Sequence, residues 1–418
     1  MHSRTANGNS RLLFWSHVRE FAVPTSMIES ATARRAVGDW AGACAAAHVD
    51  VDLNLRTVRH TSGQQLATQV RDDLRHLAPD LLRWHFPRIG PIGLLRPGLT
   101  VSLARYPQNG GAIHLVARTP PAWADAGQRI SIALWARTGT DIHPHPRPDR
   151  RFRLDLHRHL WDVRRAGELS ERSATVADED RWAAEAALLL RAEGRPDGVV
   201  TVRLGTRRWL MLDLAASGGP TIACGRAEAW PVLPDAATWT LPDLELLRAG
   251  LIDADRLHPL VASALVPGHR VGASPTPDVP RDRLVECRGA QHRIRVVDGV
   301  LRPLDHDSDE IRREELLVAL GGPALPCLRA IDEAHRHPEC LVDVSARLDH
   351  GDAVGALAAV ERLLGPDVLL RGGALRDELE TAVRRRVIHG LYRVGLVGLG
   401  PAPSTQDRRR RRVNQNSI

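Results

Sequence analysis

Hydrophobic positions along the chain change their period twice. In the first hundred residues they recur at helical spacing: Leu66, Val70, Leu74 and Leu77 of "SGQQLATQVRDDLRHL" fall on one helix face. "TSMIESATARRAV" opens with Ser26 and Glu29 in capping-box spacing and predicts a second helix, turned at Gly38-Asp39 into the alanine-rich "WAGACAAA". Between these, "HVDVDLNLR" alternates, with Val49, Val51, Leu53 and Leu55 on one side, and predicts a short half-buried strand. From Leu99 to about Ala215 the period is two. "LTVSLARY", "AIHLVART", "RISIALWAR", "RFRLDLHRH", "GVVTVRLG" and "RWLMLDLA" predict strands, interrupted by one helix in "DEDRWAAEAALLLRAEG". Two short helices follow, then "RLVECRGAQHRIRVVDGVLRPL", a hairpin or small meander with Asp298-Gly299 as a turn. From Ser308 onward the spacing is helical again.

These periods predict an α+β protein with a helical N-terminal region, a central mainly antiparallel β-sheet and a helical C-terminal region. The expected divisions are a disordered N-terminus (1–10), a mainly helical region (11–97), a β-rich central domain (98–230), short helices with a β-hairpin (231–307), a helical region (308–400) and a disordered Arg-rich tail (401–418).

Composition narrows the chemistry. The 57 basic residues are all arginine, a bias expected of a high-GC bacterial genome. A lysine-free chain has no P-loop lysine, no kinase strand lysine and no Schiff-base lysine, which excludes those enzyme classes. The five cysteines are scattered and form no C-x-x-C pair. With no apolar leader and no run long enough to span a bilayer, this predicts a cytoplasmic protein with no membrane contact. The block Arg408, Arg409, Arg410, Arg411 and Arg412 is a candidate site for weak nucleic-acid binding.

Three clusters invite a catalytic or metal reading. "HPHPRPDRRFRLDLHRH" carries His143, His145, His157 and His159. The alternation of Phe152, Leu154 and Leu156 predicts that the latter two histidines share the solvated polar face of a strand. "CLRAIDEAHRHPEC" offers Cys327, His335, His337 and Cys340, but positions 335 and 337 diverge on a helix. "DHDSDE" groups Asp305 to Glu310 around His306, where acidic residues complement the dipole of the helix that follows. No catalytic, cofactor-binding or metal-ligating residue is assigned on this basis, and no cofactor is expected.

One phrase recurs. Gly38-Asp39-x-x-Gly42-Ala43-x-Ala45-Ala46 returns as Gly351-Asp352-x-x-Gly355-Ala356-x-Ala358-Ala359, each between two helical segments. The second copy, in "ARLDHGDAVGALAAVERLLGPDVLL", resembles a degenerate ankyrin αα-hairpin lacking the T-P-L-H opening. More widely, "VPTSMIESATARRAVGDWAGACAAA", "DDLRHLAPDLLRWH", "LPDLELLRAGLIDADRLHPLV" and "DEIRREELLVALGG" resemble a family of uncharacterised cytosolic proteins of high-GC bacteria, some with C-terminal ankyrin repeats. The resemblance implies no activity. The expected function is a non-enzymatic scaffold or adaptor that binds a protein partner, with Trp15, Trp40, Trp84, Trp123 and Trp239 as candidates for an exposed aromatic patch. The alternative is a hydrolase assembled around the His157/His159 strand face.

Overall fold

The helical spacing of the first hundred residues is realised, in the computed structural model of the chain, as α1 (His2–His17, continued by a π turn over Val18–Ala22), α2 (Thr25–Ala36), α3 (Trp40–Ala46), α4 (Leu55–Ser62), α5 (Gln64–Arg75) and α6 (Pro79–His85). Helix α1 occupies a stretch whose composition predicts disorder. The structure describes residues 2–109, 111–137, 143–172, 179–204, 209–214, 221–224, 230–268, 283–297, 300–336, 341–364, 370 and 372–396. Chain contacts divide it into two units, Met1–Gly272 with Tyr392–Ile418, and Ala273–Leu391.

In the first unit, β1 (Val49–Val51) precedes α4, and the small hairpin β2 (Arg88–Ile89) and β3 (Leu94–Leu95) follows α6. The main sheet adds β4 (Thr100–Tyr106), β5 (Ile113–Arg118) and β6 (Ile130–Trp135), in the order β1-β6-β5-β4. Strands β4, β5 and β6 pair antiparallel, as their short links require, while β1 joins β6 in parallel after the long helical excursion. The helical region and this sheet share one core, in which Leu66, Val70, Leu74, Leu81 and Leu82 meet Val101, Leu103, Leu115 and Ile130. No domain boundary therefore falls at residue 97.

A second, smaller core forms where α8 (Glu179–Ala192), preceded by the short α7 (Leu169–Arg172), packs on β7 (Val199–Arg203) and β8 (Trp209–Asp213), with β9 (Thr221–Cys224) as the third strand. The unit closes with α9 (Asp235–Thr238), α10 (Pro242–Arg248) and α11 (Pro259–Leu265). The second unit opens with the antiparallel meander β10 (Arg283–Cys287), β11 (Ala290–Val297) and β12 (Val300–Pro303). It continues with α12 (Ser308–Ala319), α13 (Pro326–Arg336), α14 (Leu341–Asp349), α15 (Ala353–Leu364) and α16 (Ala374–Arg393). The meander thus belongs with the C-terminal helices and not with the short helices before it. The architecture is α+β.

The repeated phrase folds the same way twice. At the end of α2 the Gly38 N–H donates to the Arg35 carbonyl (3.0 Å) and the Asp39 N–H to the Arg34 carbonyl (2.9 Å). At the end of α14, Gly351 donates to Leu348 (3.1 Å) and Asp352 to Arg347 (2.8 Å). This is a Schellman closure, which needs a left-handed residue, and Gly38 (φ 79°) and Gly351 (φ 86°) supply it. The aspartate then caps the next helix: Asp39 Oδ1 accepts from the Gly42 N–H and Asp352 Oδ1 from the Gly355 N–H, each at 2.8 Å. Its other oxygen takes the arginine of the preceding helix, Arg34 at 3.0 Å or Arg347 at 3.1 Å. A Cβ on Gly42 or Gly355 would lie 2.0 Å from the aspartate Oδ2, so both positions exclude side chains while the cap is in place.

A double-mutant cycle tests this corner. Gly42→Ala is expected to be neutral to destabilising in the intact chain, and stabilising once Asp39→Ala has removed the cap. The coupling read from denaturant midpoints should be about 1 kcal/mol. The Gly355/Asp352 pair should behave alike.

Candidate functional site

The histidine-rich stretch does not form a strand. Between Asp149 and Trp161 the backbone turns on itself repeatedly: Phe152 N–H donates to Asp149, Leu156 to Arg153, His157 to Leu154, and Leu160 to His157. It runs along the open edge of β4, to which Asp149 and Asp155 donate backbone hydrogen bonds at the Thr100 and Ser102 carbonyls. Only one isolated bridge, Ser102 to Arg153, results. The expectation of a solvated strand face is thereby corrected, since His157 is 1% and His159 4% exposed. Turns of three residues place Leu154, His157 and Leu160 inward together, which an alternating pattern conceals. His143 and His145 belong to the same wall. The His143 ring holds the Thr119 carbonyl at 2.9 Å and the His145 N–H at 3.1 Å.

Several buried ionisable groups of this unit are matched to charged partners. His157 places Nε2 3.2 Å from Glu185 Oε2, and Arg172 grips the same carboxylate with both arms of its fork. Burial favours the protonated acid at Glu185, but His157 and Arg172 prevail and hold it at about 2. His159 beside them is pushed well below its ordinary value by burial and by the Arg172 charge. Two Pro-Asp helix starts carry further pairs. Asp80 in the first turn of α6 meets His258 (2.9 Å) and Arg35 (3.6 Å), and Asp243 in α10 accepts from Trp84 Nε1 at 2.7 Å. Asp243 also faces His85 at 3.8 Å, whose ring burial drives to about 4. Perturbed groups of this kind mark active sites only where substrate can reach them. Here Asp80, Asp243 and both rings of the hydrolase alternative are buried. The open cleft at the end of α8 is lined by Arg105 and Arg158, which are committed to the Ala192 carbonyl and to Asp73 and Asp162.

The second unit brings together a different set. Arg288 (φ 55°) and Gly289 (φ 82°) form a two-residue turn with both φ positive, the hairpin geometry that matches strand twist. It pairs Cys287 with Ala290 and Val285 with His292. Alternation then sets Val285, Cys287, His292 and Ile294 on one face, against which α13 packs Leu328 and Ile331. The first turn of α13 carries Cys327. After β12 the chain is pinned by Asp305, which accepts from the Arg293 N–H at 2.7 Å, and this presents His306 to His292. One donor atom from each of Cys287, His292, His306 and Cys327 lies within 4.8 Å of all the others. The two rings meet at Nδ1 of His292 and Nε2 of His306, 2.7 Å apart. Nδ1 of His306 faces Glu310 Oε2 at 3.1 Å, in the first turn of α12, and Arg288 holds the other oxygen of Glu310 at 2.6 Å. Burial, reinforced by the neighbouring Cys287, pushes the Cys327 thiol above its ordinary value.

Sequence reading therefore named Cys327 and His306 in separate clusters and missed that they meet. A local signal existed in "CRGAQH", where a two-residue turn places Cys287 and His292 on the same face. His337 and Cys340 lie outside the described residues, as does the arginine block 408–412. Of the proposed aromatic patch, Trp15 and Trp84 are core residues. Among the described residues no helix is long and apolar enough to cross a membrane. Comparison with known protein families, with curated proteins and with solved structures finds no match.

The buried pairs predict an acid-sensitive fold. The His85 ring is depressed from 6.5 to about 4, so its contribution is complete above pH 6.5 and declines as pH falls toward 4. Glu185 is depressed from 4.5 to about 2, so its contribution is complete above pH 4.5 and is lost on approach to 2. Denaturant midpoints measured against pH should fall in that order. Glu185→Gln should lower stability at neutral pH by roughly 3 kcal/mol, by removing the carboxylate that Arg172 and His157 share, and should flatten the profile below 4.5.

Proposed function

We propose that this chain is a non-enzymatic interaction protein, a scaffold or adaptor that engages a protein partner through helices of its C-terminal unit. The observation that carries the reading is the placement of large apolar side chains on the outside of those helices. Helix α15 buries Ala356, Ala359, Val360 and Leu364, yet also sends Val354 (82% exposed) and Leu357 outward. Helix α12 ends in Leu316, Leu317 and Val318, followed by Leu320 at its C-cap, which is 86% exposed, and α14 and α16 add Val342, Val383 and Val387. A helix that is apolar on both faces has a second surface to cover. Full burial of each leucine or valine is worth about 1.5–3 kcal/mol, enough for a few of them to hold a partner. The α14–α15 corner, closed by Gly351 and Asp352, makes a helical hairpin, an element that repeat proteins use as a binding surface. The burial of His157 and His159 speaks against the hydrolase alternative.

The test is affinity purification of the tagged full-length chain from its native cell, beside the variants Val354→Glu/Leu357→Glu and Leu316→Glu/Leu320→Glu. These positions are exposed, so thermal unfolding should shift little. One or two proteins should co-purify reproducibly with the parent chain and be lost with at least one variant. If no protein is captured reproducibly, or the same set is captured with all three, the proposal fails.

A further inference from the structure

We propose that Cys287, His292, His306 and Cys327 bind a single zinc ion that holds the β-meander of the C-terminal unit to α12 and α13. The donors are two thiols and two imidazoles, the set that selects a tetrahedral, borderline-soft cation. With Zn–S near 2.3 Å and Zn–N near 2.0–2.1 Å, the edges of the tetrahedron are roughly 3.3–3.8 Å. The four donor atoms already lie within 4.8 Å of one another, so small rotamer changes complete the shell. Two imidazole nitrogens held 2.7 Å apart open slightly to admit the ion between them.

Three further observations point the same way. Glu310 sits on Nδ1 of His306 at 3.1 Å, where it fixes that nitrogen as the protonated one and leaves Nε2 for the metal. Glu310 is itself held by Arg288 from the hairpin turn that positions Cys287, so the supporting shell links the start of α12 to that turn. The apolar core here is also small. Beyond the two cysteines its buried members are Ile294 and Leu325, too little to order a meander and two helices without another constraint. All four positions are filled by protein and both cysteines are fully buried, so the site is structural, with no place for a substrate or activated water. A two-iron cluster with the same donors would place thiolates and imidazoles on different metal atoms, and donors this close leave no room for a second one.

Full-length protein purified from cells grown without supplementary metal should contain close to one zinc per chain. X-ray absorption at the zinc edge should show two sulfur and two nitrogen neighbours, a readout that needs no variant to fold. Cobalt added to chelator-treated protein should give the intense visible bands of a tetrahedral site. Cys287→Ser and His306→Ala should lose the metal, and His335→Ala/His337→Ala should keep it. Glu310→Gln should still bind zinc, about 10–100-fold more weakly in competition with a chromophoric chelator. Metal content far below one together with no tetrahedral cobalt spectrum, a Cys287–Cys327 disulfide in the purified chain, or a different donor count would overturn the proposal.

Discussion

Two carboxylates without solvent contact, Asp80 and Asp243, organise the first unit. A buried charge that loses its partner costs on the order of 3–5 kcal/mol, comparable with the whole stability of many domains. The elements that satisfy these two groups are therefore constrained together. Asp80 at the start of α6 ties that helix to Arg35 of α2 and to His258 at the entry to α11. Asp243 at the start of α10 ties it back to Trp84 and His85 of α6. Through these contacts, segments far apart in sequence share one core. The hydrophobic residues around them tolerate many arrangements, but the paired charges tolerate few.

The two units reach stability by different routes. The first has a large apolar core that includes the main sheet and a smaller one under α8, and several of its buried histidines are held by carboxylates or backbone groups. The second has two small cores. One lies between α14, α15 and the beginning of α16, and the other lies under the meander around Cys287 and Cys327. A metal-donor cluster where apolar content is low and an apolar helical exterior beside it are separate features with separate physical origins. As proposed, the first concerns how the unit is held, and the second what it binds.

The αα-corner shows how much a short phrase can dictate. Arg34 to Gly42 and Arg347 to Gly355 adopt the same hydrogen bonds in different surroundings because every group in the motif is satisfied locally. The glycine takes the left-handed conformation, the aspartate caps, the arginine closes the carboxylate, and the last glycine leaves it room.

Features governed by neighbours in the chain were legible from the residues alone. These were the helical and alternating segments, the α+β class, the repeated corner, and the loss of lysine-dependent chemistries. The stretch from Phe152 to His159 was misread because alternation and a series of three-residue turns place apolar residues similarly, and only the edge of β4 decides between them. The convergence of Cys287, His292, His306 and Cys327 was not legible as a site. Its donors come from a strand end, a second strand, a loop and a helix start, and no spacing in the chain encodes the packing of α13 on the meander. Periodicity reports which face of an element is buried, but not against what. The sequence determined the elements and their local closures; long-range contacts alone decided which charges pair and which donors meet.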